Sequence, residues 1–202
     1  MKIGIEVNGV LRDTIGKIKT VYEKFLMKNS EESEDIEIES FEYKINEPIN
    51  SLDLKKHFSF ESDEELYDFL YNEFPMEIFG HSQSSEMLSF NFLNDFYLDF
   101  RNENEIVIIS DEIGKTKPAT LFFLSKFGCL IESISFYNET NKSKILSQFD
   151  LIVTSNPDII INYQDRIGVI KFDTVYNQNV SCKHSISSIK ELKDKIKQIT
   201  NA

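Results

Sequence analysis

In the sequence Met1-Lys-Ile-Gly-Ile-Glu-Val-Asn-Gly-Val-Leu-Arg-Asp-Thr14, an apolar strand breaks at a glycine and runs into a helix. The β-branched residues at alternate positions predict that the strand is buried. Gly9 permits a sharp turn at the carboxyl end of the strand, and Asp13 or Thr14 can cap a helix that begins at Ile15. Ligands of open α/β sheets bind at this end of the strands, so the turn is the first candidate site.

The segment Ile5-Glu-Val-Asn-Gly-Val-Leu-Arg-Asp-Thr14 resembles the first motif of the haloacid dehalogenase-like phosphohydrolases, which reads hydrophobic-Asp-hydrophobic-Asp-Gly-Thr/Val-Leu. In that family the first aspartate is the nucleophile and a Mg²⁺ ligand, and the second is the general acid/base. Glu6 and Asn8 stand in these two places, so the frame of the motif is present and both aspartates are replaced.

The two replacements predict a weakened or lost reaction. The extra methylene of Glu6 displaces its carboxylate, and a misplacement of about 1 Å can cost around 10²-fold in rate. The amide of Asn8 cannot donate and recover a proton near neutral pH, which removes an acid worth roughly 10²–10⁴-fold.

Composition bounds the other possibilities. The chain of 202 residues is 41% hydrophobic, which predicts a folded domain with a sizeable insertion. A net charge of −12 argues against nucleic acid as the main partner, and no apolar run or leader pattern predicts a membrane span or a signal peptide. We therefore expect a cytoplasmic protein, or a virion component if the gene belongs to a phage.

Residues 15–101 are predicted to be a connecting helix and a helical insertion, and residues 1–14 and 102–202 the core. Within the insertion, Leu66 to Gly80 and the following helix resemble the small cap of the type-C 5′(3′)-deoxyribonucleotidase branch, including its short phage and bacterial members. In that branch the cap closes over the nucleotide.

The strand Glu105-Ile-Val-Ile-Ile-Ser110 follows the insertion and resembles the second motif of the family, where a serine or threonine binds the phosphoryl group. Further along, Asn141 to Ile145 lies where the family places a lysine that steadies the nucleophile and the phosphate. The resemblance implies that Ser110 and either Lys142 or Lys144 are what remains of a phosphate site, with Lys117 as a further candidate for the lysine.

The strand and turn Phe149-Asp-Leu-Ile-Val-Thr-Ser-Asn-Pro-Asp158 resemble the fourth motif, which reads Asp-hydrophobic-hydrophobic-hydrophobic-Asp-Asp-Asn-Pro. Thr154 and Ser155 stand where the family has metal-binding aspartates. Because Mg²⁺ prefers charged oxygen ligands, the sequence predicts that the Mg²⁺ site is lost and that no cofactor is bound, although Asp111 could compensate.

Strands alternate with helices along the chain, which predicts a parallel sheet covered on both faces. The resemblance makes this a haloacid dehalogenase-like, Rossmannoid α/β fold: a three-layer α/β/α parallel sheet with a small helical cap inserted after the first strand.

The degenerate positions Glu6, Asn8, Thr154 and Ser155 favour the interpretation that the chain is not an enzyme. In this interpretation it is a pseudophosphatase that serves as a structural or assembly component and binds other protein chains, for instance in a phage virion, with Ile36 to Tyr43 as an interface arm. The alternatives are a nucleotide- or phosphate-binding protein and a weakly active 5′-nucleotidase-type phosphohydrolase that uses Glu6.

Overall fold

The computed structural model describes residues 1–32 and 45–200 and contains one parallel sheet. In chain order its six strands are β1 (Lys2–Glu6), β2 (Glu105–Asp111), β3 (Ile134–Tyr137), β4 (Leu151–Thr154), β5 (Gly168–Phe172) and β6 (His184–Ile186). They lie side by side in the order β3-β2-β1-β4-β5-β6. The strand predicted from the first motif is therefore central, and the predicted fold class is confirmed.

The α-helices connect these strands and cover both faces of the sheet. Their bounds are α1 (Thr14–Glu32), α2 (Asp63–Tyr67), α3 (Ser89–Phe100), α4 (Thr116–Lys126), α5 (Lys142–Leu146), α6 (Pro157–Tyr163) and α7 (Leu192–Thr200). Residues of α3, α4 and α7 pack with Ile3 and Ile5 on one face, and residues of α5 and α6 pack with Val107 and Ile109 on the other. Burial of these apolar side chains stabilises the three-layer arrangement.

The cap surrounds a separate apolar cluster. Tyr22 of α1 contacts the rings of Phe58, Phe60 and Phe69 at centroid distances of 5.1, 5.0 and 5.9 Å. Short turns of helix build the rest of the cap, namely Leu54–Lys56, α2, and two π-helical segments at Asp68–Glu73 and Met76–Gly80. Aromatic residues at helical spacing predict a buried core, and those of residues 69–100 divide between two clusters. Four pack in the cap cluster, namely Phe69, Tyr71, Phe74 and Phe79, and five pack in the main core beside the sheet, namely Phe90, Phe92, Phe96, Tyr97 and Phe100.

Two predicted elements differ in extent. The apolar sequence from Leu130 to Phe136 predicts a strand, and the observed strand begins at Ile134, where pairing with Ile108 of β2 begins. The amphipathic pattern from Ser185 or Ser187 to Ile199 predicts a helix, and the observed helix begins at Leu192, because His184–Ile186 adds a strand to the edge of the sheet instead. Sheet pairing is a tertiary interaction and overrides the local helical pattern there.

The predicted domain limits stay a prediction. The predicted interface arm from Ile36 to Tyr43 lies outside the described residues. Within the described part of the chain, no helix is long and apolar enough to cross a membrane.

Candidate active site

The carboxyl ends of β1, β2 and β4 meet beneath the cap and enclose a cavity of 160 Å³. From the core side its wall contains carboxyl, amide and hydroxyl groups, contributed by Glu6, Asn8, Asp111, Ser155, Asn156 and Tyr176. From the cap side the wall is apolar and aromatic, contributed by Ile15, Ile18, Leu52, Leu54, Leu70, Tyr71 and Phe79. A concave, mostly apolar site with a few converging polar groups is typical of a small-molecule site.

Glu6 lies on the floor of this cavity and is 1% exposed. Tyr137 Oη donates a hydrogen bond to Glu6 Oε1 at 2.5 Å, and Thr154 Oγ1 donates one to Oε2. Burial removes water from the carboxylate and raises the pKa of Glu6 from 4.5 to about 7, although these two hydrogen bonds and the charge of Lys142 oppose the shift. Glu6 is therefore a fixed carboxyl group that changes its charge near neutral pH.

Asn8 is oriented by hydrogen bonds from two donors. Its Oδ1 accepts from Arg12 Nη2 at 2.5 Å and from Thr14 Oγ1 at 2.8 Å. The amide nitrogen is therefore turned to the other side, where Nδ2 donates to the backbone carbonyl of Asp111 at 3.5 Å. Asn8 is therefore a fixed hydrogen-bond donor at the wall of the cavity.

Arg12 and Glu112 form an ion pair that is completely buried behind the turn, with Nη2 2.5 Å from Oε1. Arg12 Nη1 also donates to the carbonyl of Phe79 at 2.8 Å and to Thr120 Oγ1 at 2.7 Å. The guanidinium lies 4.9 Å from the ring centroid of Phe79, in the range of cation–π attraction. Arg12 therefore connects the first turn to β2, to α4 and to the cap.

Ser110, predicted to bind phosphate, is completely buried and does not line the cavity. Its hydroxyl donates to Glu112 Oε1 at 3.1 Å. The strand alternation that points Ser110 to the interior leaves its neighbour Asp111 facing the cavity.

The two candidate lysines of α5 lie in different surroundings. The side chain of Lys142 is 13% exposed, lies 3.5 Å from Glu139, and acts through its charge to lower the pKa of both Glu6 and Asp111. Lys144 is exposed. Lys142 is thus the lysine whose charge reaches the cavity.

Asp111 is the second cavity carboxyl group with a shifted pKa. Burial raises the pKa of Asp111 from 3.8 to about 6; Lys142 opposes the shift, and Glu139 and Glu112 add to it. Titratable groups shifted by burial and by specific charges inside a cleft mark candidate functional sites.

Thr154 and Ser155, which the resemblance places at metal-binding positions, do not fit Mg²⁺. Thr154 Oγ1 donates to Glu6 and also accepts from the backbone N–H of Asn156 at 3.0 Å. Ser155 Oγ donates to the backbone carbonyl of Asn8 at 3.1 Å and accepts from Tyr176 Oη at 2.8 Å. Both hydroxyls are neutral and engaged, and the described residues include no cluster of three side chains suited to a metal ion.

Replacing Gly9 with alanine is expected to destabilise the protein by about 1–3 kcal/mol, because Gly9 has a φ of +72° and no space for a Cβ. A Cβ would lie 1.9 Å from Tyr176 Oη and 2.3 Å from Ser155 Oγ. Urea denaturation of the single variant and of a variant that also carries Tyr176→Phe measures the effect. The second change removes the nearest atom and should recover part of the loss, whereas wild-type stability of Gly9→Ala alone would contradict the close approach.

Sequence reasoning missed Tyr137 and the Arg12–Glu112 pair. A signal was available for Arg12, which is the only arginine among the first hundred residues of a chain rich in lysine. Arginine is preferred over lysine in buried, multiply hydrogen-bonded ion pairs. For Tyr137 the signal was its place at the end of a strand that terminates at the same edge of the sheet as Glu6.

Solved structures similar to this chain include proteins described as hydrolases and dehalogenases. A haloacid dehalogenase-like hydrolase from Burkholderia xenovorans is 12% identical with a TM-score of 0.61, and the match covers 100% of this chain and 98% of that one. A HAD-hydrolase from Bacillus subtilis bound to magnesium is 13% identical with a TM-score of 0.58 and coverages of 100% and 98%. A 2-haloacid dehalogenase from Pseudomonas syringae is 10% identical with a TM-score of 0.50, and the match covers 98% of each chain.

No family model and no curated protein matches the sequence. At identities of 8–13% the similar structures establish the haloacid dehalogenase-like fold and not a reaction.

The interpretation of the chain as an inactive structural or virion component is wrong in the light of these similarities, since the proteins that share its fold are described as hydrolases or dehalogenases. Inactivity was expected from residue replacement alone. In the structure Glu6 is held at the cavity floor by Tyr137 and Thr154, with a pKa raised to about 7.

Proposed function

We propose that this chain is a slow hydrolase of phosphate monoesters in which Glu6 is the nucleophile. The observation that carries the proposal is the position of Glu6 on the cavity floor, fixed by Tyr137 and Thr154, with a pKa raised to about 7. A carboxyl group that titrates near the working pH is suited to nucleophilic or acid/base chemistry.

The hydrogen bonds to Glu6 leave it able to react. Each carboxylate oxygen accepts one bond, from Tyr137 or from Thr154, and each keeps a second lone pair. Attack of one oxygen on phosphorus forms a glutamyl phosphate and releases the alcohol, and water then hydrolyses this intermediate to inorganic phosphate. The extra methylene relative to aspartate accounts for a slow reaction.

The charges of the cavity favour an anion only in part of the pH range. Lys142 attracts a phosphate, whereas ionised Glu6 and Asp111 repel it. The pKa of Glu6 is raised to about 7 and that of Asp111 to about 6. When the pH falls below these values, both groups become protonated and no longer repel the phosphate. Phosphate binding should therefore weaken as the pH rises through this range.

A deoxynucleoside monophosphate is the substrate class we propose, on the resemblance of the cap to the nucleotidase branch. Space for the nucleoside supports it. A second cavity of 270 Å³ shares Gly9, Thr14, Ile15 and Tyr176 with the first. Its other walls include the apolar side chains of Ile49, Phe172 and Val175.

Turnover is expected to be the same in EDTA and in millimolar Mg²⁺, because the neutral, engaged hydroxyls of Thr154 and Ser155 do not fit a hard divalent cation. The measurement is release of inorganic phosphate from deoxynucleoside monophosphates and from p-nitrophenyl phosphate. A rate that depends on Mg²⁺, accompanied by a rise in melting temperature with Mg²⁺, would contradict the metal-free site. Absence of release from every phosphate ester in both buffers would contradict the proposed function.

Displacement of halide at carbon is the second candidate. The observation that favours it is the carboxylate of Glu6 in a largely apolar cavity, because a carboxylate can attack carbon without a metal ion. A 2-haloacid dehalogenase is also among the similar structures. Chloride release from 2-chloropropionate, measured in the same preparations, distinguishes the two reactions. Chloride release without phosphate release would replace the first proposal by the second.

A further inference from the structure

We infer that Asp111 donates the proton to the leaving group and later recovers it from water, in place of the acid that Asn8 cannot provide. This inference rests on the phosphate-ester reaction proposed above and assigns its second catalytic residue.

The register of the sheet places Asp111 beside the reacting position. Glu6 of β1 pairs with Ile109 of β2, and Asp111 follows two residues later on the same face of the sheet. Two residues of strand advance the chain by about 7 Å toward the carboxyl edge. Asp111 therefore lies beyond Glu6 in the direction of the cavity, which both residues line.

Neighbouring contacts hold this end of β2 in place. Tyr137 of β3 pairs with Asp111 in the sheet register, and its hydroxyl donates a hydrogen bond to Glu6. The backbone carbonyl of Asp111 accepts from Asn8 Nδ2 at 3.5 Å. One substrate molecule on the floor of a 160 Å³ cavity is thus within reach of Glu6, Asn8 and Asp111 together.

The charged and titratable groups around Asp111 come from every adjoining element. They are Lys142 on α5, Glu139 before α5, Glu112 after β2, Glu6 on β1, Tyr137 on β3 and Tyr71 in the cap. Burial raises the pKa of Asp111 to about 6, and only Lys142 among these groups lowers it. Asp111 therefore retains its proton closer to neutrality than an exposed aspartate does.

The step balances in atoms and charge. Glu6 carboxylate attacks phosphorus, the bond from phosphorus to the ester oxygen breaks, and that oxygen takes the proton of Asp111. Water then attacks the phosphorus of the glutamyl phosphate, Asp111 carboxylate takes the water proton, and the bond from phosphorus to Glu6 breaks. Inorganic phosphate leaves, and both carboxyl groups return to their starting states.

The reactive form has Glu6 ionised and Asp111 protonated. Because the pKa of Glu6 is about 7 and that of Asp111 about 6, this form is a minority at every pH and is most populated between the two values. Turnover should therefore depend on pH in a bell-shaped curve with a low maximum.

The test is to measure kcat of Asp111→Asn on two substrates whose leaving groups differ in their need for a proton. p-Nitrophenolate leaves as a stable anion without a proton, whereas the alkoxide of a nucleoside requires one. We expect the variant to lose about 10²–10⁴-fold in kcat on deoxythymidine monophosphate and less than about tenfold on p-nitrophenyl phosphate, with the basic limb of the pH profile removed. Asp165→Asn, a change of the same kind at an exposed aspartate, should behave as wild type on both substrates.

An equal loss on both substrates, or no loss on either, would overturn the role of Asp111 while leaving Glu6 as the nucleophile. An inactive wild type would instead overturn the proposed function and this inference with it. Melting curves verify that Asp111→Asn is folded. If it is not, Asp111→Glu supplies the test: its extra methylene displaces the acid, so kcat should fall on deoxythymidine monophosphate and not on p-nitrophenyl phosphate, and an equal effect on both substrates would overturn the role of Asp111.

Discussion

Replacing Glu6 with glutamine is expected to reduce turnover by at least about 10³-fold on every phosphate ester, because an amide oxygen does not form the covalent intermediate. The shape of the side chain and the hydrogen bond from Thr154 are retained, so the loss reports chemistry and not folding. Phosphate release and mass spectrometry of acid-quenched protein measure it, the latter through a phosphorylated peptide that contains Glu6 in the wild type only.

Glu103→Gln is the matched control, since Glu103 is exposed and the chemical change is the same. It should leave turnover and melting temperature unchanged. Wild-type activity of Glu6→Gln would refute the role of Glu6 as nucleophile.

Glu6→Gln is also expected to change the stability of the protein, in a way that depends on pH. The pKa of Glu6 is raised from 4.5 in an exposed carboxyl group to about 7 in the fold, so the folded state binds the proton more tightly than the unfolded chain. The contribution of Glu6 to the free energy of unfolding is fully present below pH 4.5 and is lost as the pH rises to about 7. The total loss is about 3 kcal/mol. Glutamine does not titrate, and Glu6→Gln should therefore gain stability over the wild type at pH 8 and lose that advantage near pH 4.5.

Replacing Arg12 with methionine is expected to destabilise the fold by about 3–5 kcal/mol, because it leaves the buried carboxylate of Glu112 without its cation. Glu112 Oε2 already has no hydrogen-bond partner among the described residues. The cost of burying the Glu112 carboxylate is therefore offset only by the contacts of Oε1, which include the ion pair with Arg12. Urea denaturation at neutral pH measures the change.

Glu112→Leu added to Arg12→Met should restore most of the lost stability, since a buried apolar pair needs no compensation. Lys193→Met provides the exposed comparison, because Lys193 pairs with Asp99 at the surface and such pairs contribute about 0–1 kcal/mol. If Arg12→Met and Lys193→Met cost the same, the buried pair does not stabilise the turn.

Much of the fold could be predicted because local sequence determines it. The β-branched alternation predicted β1, and Asp13 caps α1 as expected, with its Oδ1 accepting from the backbone N–H of Gly16 at 3.0 Å. Gly9 adopts the positive φ that its turn requires. These features depend on neighbours within a few residues in the chain, so a sequence displays them directly.

The composition of the site could not be predicted in the same way. Tyr137 and Thr154 reach Glu6 from 131 and 148 residues away, and Glu112 reaches Arg12 from 100 residues away. Ser110 and Asp111 are adjacent in sequence, and only their place in the sheet shows which one faces the cavity.

The sequence by itself thus determined the strand, the turn and the order of elements, because each depends on spacing along the chain. The tertiary structure alone decided that Glu6 is buried and hydrogen-bonded, with a pKa near neutrality. It also decided that Ser110 donates a hydrogen bond to the buried ion pair and that Asp111 faces the cavity. The physical reason is that desolvation and charge coupling act through space, between groups that parallel strands bring to one edge of the sheet.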